Sequence, residues 1–283
     1  MQPTAVFRSF GFYLALALFC VFAIFPAAWM VITAFKQNSD LYDPTHNPFL
    51  FNLPPTLSHI EFLFRQTNYP IFLWNSFFIG IIVVVITLVL AVPAAYSLAR
   101  LTGHWGEHSS IAIFLVYLIP PTLLFIPLYE IVTLLGLANS VWSLILVYPT
   151  ITVPFCTWLL LSFFRSIPRE IEEAALTDGW SRVGVFFRVA LPLAVPGITT
   201  CVVFAFALSL SDYIYAAVFV SSTASRTVSA GVPTELIRGD IYYWQALMAA
   251  TGIVGIPLAV VYGLLFDWLV KSFQVELPRS PRA

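Results

Sequence analysis

The sequence has little charge. Only 10% of its 283 residues are Asp, Glu, Lys or Arg, the net charge is −1, and lysine occurs twice, as Lys36 and Lys271. So few charges cannot solvate a soluble surface, and without a basic excess nucleic acid is excluded as a partner. The shortage of lysine also excludes a phosphate-binding P-loop, which needs glycines to bring backbone donors to the phosphates and a lysine to reach them. Here the residues before the two lysines are Phe35 and Val270. Cysteine is scarce as well. Cys20, Cys156 and Cys201 lie in apolar stretches with no C-x-x-C neighbour. They read as small buried side chains, with no disulfide framework and no metal site.

What the chain has is apolar surface: 60% of its residues are hydrophobic. A hydrocarbon core of roughly 30 Å takes about 20 apolar helical residues to cross. Stretches of that size at 10–35, 71–99, 110–133, 140–164, 197–220 and 244–270 predict six transmembrane helices in an all-α integral membrane protein. They fill 10–275 as one membrane domain, between a short N-terminal segment, 1–9, and a Pro/Arg-rich tail, 276–283, whose composition predicts disorder. Arg8 and Pro26-Ala27-Ala28 faintly suggest a signal peptide, but the apolar run continues to Phe35, so an uncleaved first helix is expected. Pro93, Pro120, Pro121, Pro127, Pro149, Pro154 and Pro257 predict kinks or broken ends, because each removes a backbone donor and crowds the preceding turn.

Basic residues of short connections stay on the cytoplasmic side. With the N-terminus inside, that side holds Arg8, Arg100, Arg165, Arg169, Arg182, Arg188, Lys271, Arg279 and Arg282, nine of the thirteen. Both termini are therefore expected in the cytoplasm. Two outer segments, 36–70 and 221–243, are longer than turns, and a short helix is expected near Leu57–Arg65.

The longest inner connection, 165–196, has the pattern of a structured element. Pro168 suits the first turn of a helix, Glu170, Glu172 and Glu173 complement the positive end of its dipole, and Gly179 suits a left-handed helix end. A second helix is expected from about Ser181 to Val189, stopping before Pro192. Ala174 and Ala175 give the first helix a small-residue stripe, and Val183, Phe186 and Phe187 give the second an apolar one. Composition by itself fits either a docking element or an amphipathic loop lying on headgroups.

Glu173-Ala174-Ala175, three residues, Gly179, nine residues, then Val189-Ala190-Leu191-Pro192 resembles the EAA signature of permease subunits of binding-protein-dependent ABC importers, with Val189 where the family has Ile. Ile167-Pro168 and Asp178-Gly179 are similar to the carbohydrate branch of that family, typified by the maltose permease. The resemblance covers nearly the whole chain in span number, loop placement and length. It implies the type I importer (MetI-like) fold and a cytoplasmic coupling loop at 165–196, in which Glu172, Glu173, Ala174, Ala175, Asp178 and Gly179 meet an ATPase subunit, Glu173 as polar anchor and Gly179 as turn. It implies a second permease subunit as heterodimer partner, two copies of the ATPase subunit, an external solute-binding protein, and the bacterial inner membrane. The chain then binds no cofactor, is not an enzyme, and leaves ATP and Mg to the ATPase. The implied cargo is a di- or oligosaccharide, with glycerol phosphate derivatives as the rival inside the branch.

Two other classes remain to be weighed. An ion-coupled carrier uses acids deep in the bundle. Asp212, Glu130 and Asp267 are candidates, and only Asp212 is far from a span end. His104-Trp-Gly-Glu107-His108 fits the zinc-enzyme pattern H-x-x-E-H, but Gly103 and Gly106 disfavour the helix that zinc chemistry requires there. Asp212, Tyr213 and Tyr215 replace the Trp-Asn-Glu-Phe-like stretch of the family. They are expected either to face the translocation path, where aromatic faces suit sugar rings, or, for Asp212, to hydrogen-bond a neighbouring helix.

Overall fold

The computed structural model describes residues 3–273, and of 3–10, 104, 105, 107, 110 and 267–273 only the backbone. The expected tail 276–283 lies outside the described residues, as do the side chains of Arg8, His104, Glu107, Asp267 and Lys271.

In lipid a backbone must satisfy its own hydrogen bonds, so the long elements are helices. In order they are α1 (Pro3–Phe35), α2 (Asn38–Tyr42), α3 (Ser58–Gln66), α4 (Tyr69–Arg100), α5 (His104–Tyr117), α6 (Pro121–Leu134), α7 (Val141–Val147) and α8 (Pro149–Ser166). There follow α9 (Arg169–Thr177), α10 (Arg182–Val185), a π turn (Phe186–Ala190), α11 (Leu191–Leu193), α12 (Val195–Ser211), α13 (Ile214–Phe219) and α14 (Val228–Leu236). A two-strand hairpin, β1 (Ile237–Arg238) with β2 (Ile241–Tyr242), turns at Gly239 and precedes α15 (Trp244–Phe273).

Four helical stretches can cross a membrane unbroken: Gly11–Phe35, Tyr69–Arg100, Val141–Ser166 and Trp244–Phe266. Two bent pairs, Ile111–Tyr117 with Pro121–Leu134 at 89° and Arg182–Leu193 with Val195–Ser211 at 71°, bring the count to six when each pair is one span.

The third span is split where its prolines predicted a kink or broken end: Pro120 precedes another proline and is held at ψ 126°, outside the helical region. Other expectations about helix continuity are corrected. The fifth span is interrupted at Asp212, whose backbone is extended at ψ 124°. The loop helix does not stop before Pro192. It widens into the π turn Phe186–Ala190 and continues, the wider turn relieving the ring of the carbonyl an α turn would press against it. The segment 104–108 is also helical, contrary to the reading of its glycines. Gly103, at φ +53°, sits immediately before α5 and takes up the turn outside it.

Contacts divide the chain into two compact units. One comprises residues up to Pro70 together with Val232–Pro257. Here Lys36, fully buried, donates its ammonium to the Asn47 carbonyl at 2.9 Å and lies 3.7 Å from Asp40. Asp40 accepts from the Asn52 side chain at 2.7 Å and from the Asn52 backbone at 3.1 Å. His59 bonds the Lys36 carbonyl at 3.0 Å, and Glu235 accepts from the backbone and side chain of Asn68. The other unit, Ile71–Gly231 with the chain from Leu258, holds two apolar clusters. One is built around Tyr96, Cys156, Leu160, Phe164, Ala194 and Cys201, the other around Ile79, Leu144, Tyr148, Tyr215 and Phe219. Cys156 and Cys201 are buried as expected, whereas Cys20 is exposed on α1.

Two titrating groups of the 36–70 segment act in the same sense. Burial raises the Asp40 carboxyl, but hydrogen bonds from Asn52 and Leu53 and the charge of Lys36 outweigh it and hold it below the usual 3.8. Burial lowers the His59 imidazole below 6.5, partly offset by its bond to Lys36. Both groups favour the deprotonated fold, so the stabilisation from His59 is complete above 6.5 and that from Asp40 above 3.8, and each is lost as pH falls through its lower folded value. Amide protection factors over 38–66, with exchange corrected for its intrinsic fall in acid, are expected to drop in two stages on acidification, below pH 6.5 and again below 3.8, and Asp40→Asn should shrink the second stage.

Candidate functional site

Two places gather the candidate residues, both in the larger unit. The first is α9. Two acids, Glu170 and Glu172, occupy its first turn, and its end is closed by a Schellman arrangement in which Trp180 donates to the Ala175 carbonyl at 3.2 Å and Gly179 to the Leu176 carbonyl at 3.1 Å. Gly179 has φ +89°, a conformation open to glycine and strained for other residues. Past the turn, Ser181 caps α10 by accepting from the Gly184 N–H at 3.1 Å, and Arg188 lies 4.6 Å over the Trp180 ring.

The acids of α9 face different ways. Glu173, Ala174, Asp178 and Gly179 are exposed, Ala175 is half-buried, and Glu172 is turned into the chain, 7% exposed. Glu172 accepts from the Arg100 Nε–H at 2.7 Å and the Tyr96 hydroxyl at 2.9 Å, while a second Arg100 nitrogen donates to the Ile167 carbonyl at 2.7 Å. The second helix is divided likewise. Val183 and Phe187 are exposed at 66% and 58%, but Phe186 packs 4.8 Å from the Tyr96 ring and is not part of an outward apolar stripe. With Ile171, Leu176 and Trp180, the outward residues form an apolar surface rimmed by Glu173 and Asp178. Arg100 and Tyr96 were not singled out by sequence. A basic residue ending an apolar span reads as a topology signal until its partner, 72 positions away, is located.

The second place is the pair of span breaks. A cavity of about 430 Å³ is lined by Leu118, Ile119, Pro120 and Pro121 from the third span, Thr150 and Ile151 from α8, and Leu208, Asp212, Ile214 and Tyr215 from the fifth. Asp212 accepts from the Tyr148 hydroxyl at 3.1 Å and from the Tyr215 and Ala216 backbone N–H groups at 3.0 and 3.2 Å, closing the open start of α13. Its own carbonyl accepts from Ser229 at 2.6 Å. Tyr213 is 52% exposed. Tyr215, expected to face the path, borders this cavity but is fully buried from solvent: its ring stacks on Phe219, and its hydroxyl donates to the Pro121 carbonyl at 2.8 Å. The helix break turns Tyr213 outward and Tyr215 inward. Among the described residues no group of three His, Cys, Asp or Glu could hold a metal ion.

The two readings of Asp212 separate by substitution. Asp212→Asn keeps an acceptor for Tyr148 and for α13, whereas Asp212→Ala removes all three bonds and is expected to cost about 1–3 kcal/mol. Thermal unfolding in detergent should rank parent and Asn together and Ala below. A stable Asn variant that no longer transports would assign the charge itself to the pathway.

A long apolar bundle with two broken spans and an ordered loop capped by Gly179 defines an importer permease. The family of binding-protein-dependent transport system inner membrane components matches residues 4–275, and the chain belongs to it. It is 35% identical over 262 residues, 92% of this chain and 90% of the relative, to the sulfoquinovosyl glycerol transport system permease SmoH of Agrobacterium fabrum. It is 28% identical to the trehalose/maltose permease MalG of Thermococcus litoralis, over 90% of this chain and 91% of that one. It is 29% identical to the diacetylchitobiose uptake permease DasC of Streptomyces coelicolor, over 84% and 86%. Its fold is similar to that of a bacterial ABC transporter involved in import of the acidic polysaccharide alginate, with TM-score 0.80 at 17% identity over 95% of this chain and 98% of the other.

Proposed function

We propose that this chain is the permease subunit through which an ATP-driven importer moves a carbohydrate, a di- or oligosaccharide or a related glycoside, from an external binding protein into the cytoplasm. The α9 loop, with Glu173 and Gly179 exposed, carries the reading: it is an ordered, outward-facing element whose apolar surface and acidic rim suit a groove on another protein. The partner is an ATPase subunit, present in two copies and holding ATP and Mg, beside a second permease. With the loop on the cytoplasmic side, both termini lie there too, in the inner membrane of a bacterium, and 10–275 works as one permease domain. The sugar cargo is supported by the names of relatives, which span sulfoquinovosyl glycerol, trehalose/maltose and diacetylchitobiose. Among the described residues no Arg or Lys lines the cavity at the span breaks, which suits a neutral ring better than a phosphate ester. Asp212 and Tyr215 are the pathway candidates on that wall, and Tyr213 is an exposed candidate outside it.

The test is reconstitution in vesicles with the ATPase, the second permease and the binding protein. Uptake should require ATP and follow the sugars that the binding protein retains. Uptake that survives removal of the ATPase but collapses with an ion gradient would replace this reading with that of an ion-coupled carrier. Preference for glycerol phosphate derivatives would move the cargo alone.

A further inference from the structure

The chain joins α9 directly to α8 and, through the π turn, to α12, so motion delivered to α9 reaches the fourth and fifth spans covalently. The structure adds a third attachment that the chain connectivity does not provide. Arg100, the last residue of α4, holds Glu172 of α9 with its Nε and the Ile167 carbonyl at the end of α8 with a terminal nitrogen, both at 2.7 Å. Tyr96, one turn earlier on α4, holds the other Glu172 oxygen at 2.9 Å, and its ring packs 5.4 Å from Phe164 and 4.8 Å from Phe186. The Arg100 and Glu172 side chains are 8% and 9% exposed.

We infer that Arg100, Glu172 and Tyr96 form a clamp that makes the cytoplasmic end of the second span move with the coupling helix, so that the work of the ATPase is transmitted to three spans and not two. The inference rests on the coupling reading of α9 and deepens it. A buried ion pair is a poor device for stability, because removing two charges from water costs much of what their attraction returns. Its advantage is direction. A guanidinium holding a carboxylate and a carbonyl at once tolerates little sliding, whereas an apolar contact would let α9 slip past α4. Glu172 is a positioning residue in this scheme. Glu173, its exposed neighbour, meets the partner.

The experiment compares parent complex, Arg100→Ala, Glu172→Gln and the exchange Arg100→Glu with Glu172→Arg in vesicles, measuring uptake and ATP hydrolysis in the same sample. Sugar moved per ATP hydrolysed is expected to fall about fivefold or more in the single variants and to recover in part in the exchange. A residue that merely supports the fold would lower both rates together. A ratio within about twofold of the parent, whether both rates are normal or both reduced, would overturn the clamp. Should the alanine variant not assemble, Arg100→Lys and Tyr96→Phe keep the charge and the ring packing respectively, and are read by the same ratio. Co-purification of the ATPase with Glu173→Ala and Gly179→Val keeps the two ideas apart. If the ATPase stays bound and uptake stays normal in those variants, the coupling reading fails. If they behave as that reading requires while the clamp variants keep the parent ratio, the clamp alone fails.

Discussion

Gly179→Val is expected to reduce uptake by about tenfold or more while leaving the protein inserted in the membrane. The cause is local. Gly179 closes α9 at φ +89°, and a Cβ built there would meet nothing within 4 Å, so the substitution is opposed by backbone strain and not by crowding. Holding a β-branched residue in the left-handed region costs about 1–3 kcal/mol, which the chain avoids by unwinding the last turn of α9 and releasing the Trp180 and Gly179 bonds to Ala175 and Leu176. Only the fraction of loops still closed can then engage the ATPase. Asparagine, which tolerates this region, should retain most activity, and alanine should fall between. The order Gly, Asn, Ala, Val in vesicle uptake, against equal amounts of inserted protein, is the check. An order that followed side-chain size would indicate that the outer surface near Gly179 is itself a contact.

Gly197→Leu is expected to lose most of the folded protein. Ala194, the residue before α12, and Gly197, Cys201 and Ala205 on it recur at helical spacing, and Ala194, Cys201 and Ala205 are fully buried. This stripe lets α12 approach α8 closely, with Cys156 and Cys201 reaching each other's carbonyls at 3.9 and 3.7 Å. A Cβ at Gly197 would lie 2.6 Å from the Phe163 ring, so alanine already forces that ring aside and leucine must separate two helices. Overpacking of this kind costs about 1–3 kcal/mol and at times more. The fraction that elutes as a single species in detergent and the thermal midpoint should both fall in the order Gly, Ala, Leu. Gly263→Leu, where a Cβ meets nothing within 4 Å, serves as the tolerated control.

Span number and placement were legible because hydrocarbon thickness imposes a length that sequence displays directly. The short helix near Leu57–Arg65 appears as Ser58–Gln66 for a similar reason, a turn-rich segment leading into an amphipathic one. The Gly179 turn was legible because one residue type supplies its conformation. What escaped was tertiary. Periodicity cannot tell that Glu172 turns inward and Glu173 outward until the end of α4 is present to receive one of them, nor that Tyr215 is held by the Pro121 carbonyl of the third span. Apolar runs also continue through Pro120 and Asp212, so hydropathy draws one stretch where the backbone leaves the helix.

The breaks at Pro120 and Asp212 also thin the barrier that the membrane offers to ions. Backbone that leaves the helix at membrane depth persists only inside protein or beside water. Both breaks open on one cavity of about 430 Å³, with the Asp212 carboxylate on its wall. That volume has room for on the order of ten waters. A pool this size shortens the insulating path, so the membrane voltage drops across what stays dry behind it. The adjoining layer is the ring cluster of Tyr148, Tyr215 and Phe219, the last two stacked 5.6 Å apart. Those rings, a packed core behind the cavity, are therefore also the dry layer that bounds such a pool on that side.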